Sequence, residues 1–203
     1  MTQLYYHAAS EQVTSGIRAL LPHVTNPHCL DDAELLAHGI RRCVAALPQV
    51  EWWQRHGTRT FDVSAVPCVM SYSVELRPLE EVKRLAWDRV KSEREQRQIG
   101  PMPYAFPDGR TLHTALTEKA RTDLVGSVTS ALAMKAIAPT AEMPWTTDEN
   151  GTLGLTPEQM IQFGLAVLSF YSAVHMQSQI MRVAINDAPS VADVVAAATW
   201  PEG

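Results

Sequence analysis

Apolar and polar positions change their period several times along the 203 residues, and each change predicts a different element. Thr2 to His7 reads as a short strand and Val13 to Leu21 as a weak helix, closed by Pro22, Asn26 and Pro27. Asp31 and Asp32 precede Leu35, Leu36, Ile40 and Val44, a spacing that predicts a helix from about Asp31 to Ala46 with negative charge at its N-terminus. Val50 to Trp53, Thr58 to Val63 and Val69 to Leu76 then read as a small antiparallel meander. In its last strand Tyr72, Val74 and Leu76 alternate with Ser71, Ser73 and Glu75, the pattern of a strand with one solvated face.

Beyond Pro78 the period lengthens. Leu79, Val82, Leu85, Ala86 and Val90 form a helical stripe that gives way to SEREQRQ, so the last two turns must project into solvent or lie against a partner through their aliphatic stems. Met102 to Phe106 and Arg110 to His113, joined by Pro107, Asp108 and Gly109, predict a hairpin. A helix over Thr117 to Ile137 follows, with Leu124, Val125, Val128, Leu132 and Ile137 on its apolar side. A second hairpin, Trp145 to Thr147 and Thr152 to Leu155, turns through Asp148, Glu149, Asn150 and Gly151. Thr156 then caps a helix reaching about Asp187, roughly 45 Å at 1.5 Å per residue. Its apolar residues Met160, Phe163, Val167, Phe170, Val174 and Met181 stand three and four apart, and Ile161, Leu165, Leu168 and Tyr171 form a second stripe beside them. A short helix, Val191 to Ala198, closes the pattern. The fold class expected is α+β, with small antiparallel β modules and hairpins combined with long helices and a C-terminal helical domain. The expected division is a module at 1–76, a charged linker helix at 77–100 and a hairpin-plus-helix domain at 101–203.

Composition narrows the function classes. Hydrophobic residues make up 46% of the chain, which excludes wholesale disorder. The formal charge of -5 supplies no field for a phosphate backbone, and the basic residues between Lys83 and Arg97 are interleaved with acidic ones, so no nucleic-acid partner is expected. Cys29, Cys43 and Cys68 are odd in number and lack metal-ligand spacing, which points to buried small hydrophobes and a reducing compartment during folding. The start MTQLYYHAAS has no secretory-signal pattern, and no stretch is apolar for long enough to suggest membrane insertion. The seven histidines are scattered, and neither a nucleophile motif nor a phosphate-binding glycine loop occurs. No catalytic residue, metal site or cofactor is therefore expected. The candidate functional residues are interfacial: Trp52 and Trp53, adjacent in an expected strand and so pointing to opposite faces, and the stripe Met160, Phe163, Val167, Phe170, Val174 and Met181, which reads either as core or as an oligomer seam.

Four segments carry a resemblance: PLEEVKRLAWDRVKSEREQR, PYAFPDGRTLHT, MPWTTDENGTLGLTPEQMIQFGLAV and SVADVVAAATWP. With them, from about Arg77 to the end, the chain resembles a phage protein family whose members carry an uncharacterised C-terminal domain and lie among tail-fibre genes. The preceding LDDAELLAHGIRR and WWQRHGTRTFDVSAVPCVMSYSVELRP are similar to the small module that often precedes that domain. The resemblance implies a structural protein of a tailed bacteriophage virion, synthesised in the host cytoplasm and placed in the tail at the tail-fibre or baseplate end. There it would serve host attachment through contacts with other phage tail proteins and as a homo-oligomer. A tail-fibre assembly chaperone absent from the finished particle is the alternative.

Overall fold

The computed structural model describes residues 3–149 and 151–201 and has the expected α+β character, with six α-helices and nine strands among those residues. Two compact units divide the chain, Met1–Pro78 and Leu79–Gly203.

The first unit is built on one five-stranded sheet. Its strands are β1 (Leu4–His7), β2 (Gln12–Thr14), β3 (Ile40–Ala46), β4 (Gln54–Asp62) and β5 (Cys68–Leu76), in the order β2-β1-β3-β5-β4. It is a mixed sheet and not the expected antiparallel meander: β3 runs parallel to β5, and only the other neighbours are antiparallel. Consecutive strand residues point to opposite faces, and Tyr5 and Tyr6 accordingly enter two different cores. Tyr5 packs with Ile17, Leu21, Leu35 and Ile40 beneath α1 (Ile17–Leu20) and α2 (Asp32–Ala37). Tyr6 packs with Cys43, Cys68 and Met70, and its ring stacks on Phe61 at 4.3 Å between centroids.

The helix expected over Asp31 to Ala46 stops after two turns. Its start is as expected, because Asp31 and Glu34 form a capping box. At Gly39 the backbone turns left-handed, with φ 69°, and β3 begins at the next residue. Leu36, Ile40 and Val44 are four apart, a spacing that suits a helix face and the same side of a strand equally well, so the apolar period could not mark the change. Trp52 and Trp53 lie in the turn before β4, not in a strand, half-buried and edge to face at 5.4 Å. The Thr2 end of the first expected strand lies outside the described residues, as does Asn150 of the second hairpin turn.

In the second unit α3 (Leu79–Ile99) leads to the hairpin β6 (Pro101–Ala105) and β7 (Thr111–Ala115), and then to α4 (Glu118–Ile137). The hairpin β8 (Met143–Thr146) and β9 (Thr152–Leu155) follows, and α5 (Pro157–Asp187) and α6 (Val191–Ala197) end the unit. Thr156 and Gln159 form the capping box of α5 with Pro157 in its first turn, as the sequence indicates. The charged helix expected as a linker is part of this unit's packing. Val82, Ala86 and Val90 of α3 are fully buried, Lys83 Nζ donates to the Asn186 carbonyl at 2.8 Å, and Arg182 lies over Trp87 at 5.2 Å. Its last turns mostly face solvent, as expected, with Glu95, Gln96 and Arg97 exposed, and touch the rest of the unit where the Arg97 guanidinium sits over the Trp200 ring at 5.0 Å.

The core of the unit converges on Phe163, which is fully buried. Tyr104 and Phe106 from the first hairpin lie 4.9 and 5.5 Å from its ring, and Trp145 from the second lies 5.2 Å away. These are favourable tilted and edge-on distances for aromatic pairs. Each hairpin has only two strands and is marginal in water by itself, so it is held by what it packs on α5. Replacing Phe163 by Ala removes the shared contact of both hairpins, and the expected loss of stability is about 3–5 kcal/mol, read from urea unfolding of the whole chain. A midpoint unchanged from the parent protein contradicts this role.

Candidate protein-interaction surface

The expected seam residues are not at the surface. Met160, Phe163, Val167 and Met181 fill the unit's own core, while Phe170 and Val174 are half-buried and border a shallow hollow with Arg97 and Pro101. That correction has a helical cause. At 100° per residue these positions fall on one side of α5, and the hairpins, α3 and α6 supply enough apolar surface to cover that side.

The opposite side of α5 is also apolar, and it is uncovered. Leu165, Leu168, Met176, Ile180 and Val183 follow one another three, four or eight residues apart along it. Val125 and Leu132 of α4, expected on that helix's buried side, join the same surface; α4 buries Leu124, as expected, together with Ala131. These seven side chains each leave between 52 and 67% of their surface exposed. Together they present roughly 700 Å² of accessible surface, above the few hundred Å² that a monomeric soluble protein normally leaves contiguous and apolar.

Between α4 and the first half of α5 the surface forms a groove of about 540 Å³. Gly164 permits it, because a Cβ there would stand 2.6 Å from Val128 Cγ2 and push the two helices apart. Two of the groove's polar side chains bond to each other: Arg121 Nη1 donates to the Tyr171 hydroxyl, and the guanidinium lies 5.4 Å over that ring. From Gln159 to Met181, and from Leu124 to Met134, the two helices carry no Asp, Glu, Lys or Arg. Depletion of charge with large exposed apolar side chains is the composition of an interface centre, not of a solvated face. Charges stand only near the helix ends, where Lys135 Nζ pairs with Glu158. No described helix is long and apolar enough to cross a membrane, since Gln162, Ser169, Ser172, Gln177 and Gln179 interrupt α5.

Titratable groups elsewhere serve the fold. Cys43 and Cys68 are register partners on β3 and β5, both buried, and burial together with the neighbouring thiol pushes Cys43 up to about 11; Cys29 is exposed. Among the described residues no cluster of three or more His, Cys, Asp or Glu is placed to hold a metal ion. At the second hairpin's turn, Asp148 Oδ1 accepts the Ala115 N–H at 2.7 Å and Glu149 Oε1 accepts the His113 N–H at 3.0 Å. The turn thereby satisfies the edge of β7 that β6 leaves open.

Fold and surface together define a helical α+β protein with an uncharged, uncovered face. The chain belongs to the family described as a domain of unknown function, DUF4376, whose model matches residues 81–199, more than half of its length. No curated protein and no solved structure matches it.

The Glu149 contact sets a pH dependence. Its hydrogen bonds from the His113 backbone and ring hold the carboxyl down to about 2, from an ordinary value of 4.5. A depressed folded pKa means the contact contributes fully above about pH 4.5 and is lost as pH falls through about 2. The His113 amide proton, followed by NMR, is therefore expected to titrate with a midpoint near 2 and to lose that step in Glu149→Gln; a midpoint near 4.5 in the parent chain contradicts the contact.

Proposed function

We propose that this protein acts by binding other proteins and not by catalysis, as a structural component of a tailed bacteriophage virion at the tail-fibre or baseplate end. The observation that carries the binding part is the uncharged face of α4 and α5. A groove lined by aliphatic side chains, whose arginine and tyrosine are already bonded to each other, offers a docking partner apolar area and offers a reacting substrate little to hold it. The placement in a phage tail is supported by the resemblance of the segments from Arg77 onward to proteins encoded among tail-fibre genes. In this reading the protein is made in the host cytoplasm, joins neighbouring tail proteins and its own copies, and helps anchor the host-attachment apparatus.

A tail-fibre assembly chaperone would use the same face transiently, and mass spectrometry of density-banded phage particles separates the two. Recovery of this polypeptide at a fixed stoichiometry, roughly a few to a few dozen copies per particle as tail symmetry requires, is the expected result. Its absence from particles while it is abundant in the lysate sinks the structural reading and favours the chaperone.

A further inference from the structure

We infer that a second copy of this chain covers the uncharged face, with the α5 helices of the two copies pairing antiparallel about a two-fold axis near Ser172. This rests on the reading of that face as a protein interface and names its occupant.

The apolar stripe of α5 is spaced almost symmetrically about Ser172. The half-buried Ile161 and the exposed Val183 lie eleven residues before and after Ser172, Leu168 and Met176 lie four before and four after, and Leu165 and Ile180 lie seven before and eight after. A stripe symmetric about its own centre places apolar residues opposite apolar residues when it meets an inverted copy of itself. That is the requirement of an isologous interface.

Shape agrees with spacing. The first half of the stripe is the wall of a groove, because Leu165 and Leu168 are flanked by Val125 and Leu132 of α4. The second half is a ridge. Arg121 of α4 already bonds Tyr171, and α4 starts three residues before Arg121, so α5 beyond about Val174 has outrun it. An antiparallel copy sets each ridge, Met176, Ile180 and Val183, into the other's groove, while a parallel copy sets groove against groove and leaves both unfilled. At the crossing point stand Ser169, Ser172 and Ala173, small residues that allow two helix backbones to approach closely.

Area and charge agree as well. The exposed stripe with the half-buried Val128, Ile161 and Tyr171 presents on the order of 800 Å² per copy, the amount a stable dimer of standard size buries on each side. Apart from Arg121, which is held on Tyr171 at the groove's end, the face carries no charge, so a partner must be apolar over most of that area, and the chain carries such a surface in the required shape.

The test uses the full chain with the exposed Cys29 replaced by Ser, so that an introduced thiol reports alone; Cys43 and Cys68 are buried. Ser172→Cys places two thiols beside the axis and is expected to give a disulfide-linked dimer under mild oxidation. Ile180→Cys lies on the same face, but antiparallel pairing holds its two copies roughly 24 Å apart, beyond disulfide reach, so it is expected to stay uncrosslinked. Light scattering of the unmodified chain should give twice 22.4 kDa. Leu168→Glu, with an unchanged circular dichroism spectrum, should weaken association roughly 30-fold or more.

Crosslinking of Ile180→Cys in place of Ser172→Cys overturns the antiparallel pairing. A trimeric mass overturns the two-fold. A monomer at high concentration overturns the second copy as occupant. A monomer still recovered from particles at fixed copy number leaves the structural reading standing, and a dimer absent from particles does the reverse.

Discussion

Phe163 is the point on which the second unit depends. Two hairpins of two strands each cannot persist alone in water, and both reach the same ring: one through Tyr104 and Phe106, the other through Trp145. Fixing Phe163 inward also fixes the rotation of α5 about its axis. Gly164 then falls toward Val128 and admits α4 at close range, and Leu165 and Leu168 are carried outward. The exposed face is thus a geometric consequence of the core. A helix of 3.6 residues per turn that buries one apolar stripe on its hairpins and neighbouring helices must turn a second, opposite stripe away from them.

The unit's other interactions protect that arrangement. Asp148 and Glu149 occupy the open edge of β7, so the two hairpins are tied together by hydrogen bonds as well as by the aromatic cluster. Lys83, Arg97 and Arg182 tie α3 to the C-terminal end of α5 and to Trp200. Electrostatic complementarity is spent within the unit, and the uncovered face has only shape and apolar area with which to recognise a partner.

Much of the second unit was legible in the sequence because its signals are local. Thr117 and Thr156 cap helices at the expected places, Pro157 stands in the first turn of α5, and both hairpins carry turn residues between strand-like runs. The first unit was less legible. Gly39 ends α2, but Leu36, Ile40 and Val44 kept a spacing compatible with helix, and the parallel pairing of β3 with β5 is a non-local fact that no local pattern encodes. The interaction surface was half legible. Two apolar stripes on α5 can be read from residue spacing, yet which one meets the core depends on where Tyr104, Phe106 and Trp145 arrive from, so from spacing alone the stripe containing Phe163 reads equally as core or as seam. On α4 the larger residues Val125 and Leu132 suggested the buried side, whereas the helix buries Leu124 and the small Ala131 and meets Gly164 through Val128, which leaves Val125 and Leu132 outside.

The outward stripe of α5 is proposed to be covered in solution, although no described residue of its own unit covers it. Met176 lies in the middle of that stripe, exposed in the single chain, and its thioether is open to oxidative footprinting. Hydroxyl-radical labelling of the intact protein over a range of concentrations, read by peptide mass spectrometry, reports its accessibility directly. Met176 labelling is expected to fall as concentration rises while labelling of the exposed Ile137 outside the stripe stays constant. Equal labelling of Met176 at every concentration contradicts it.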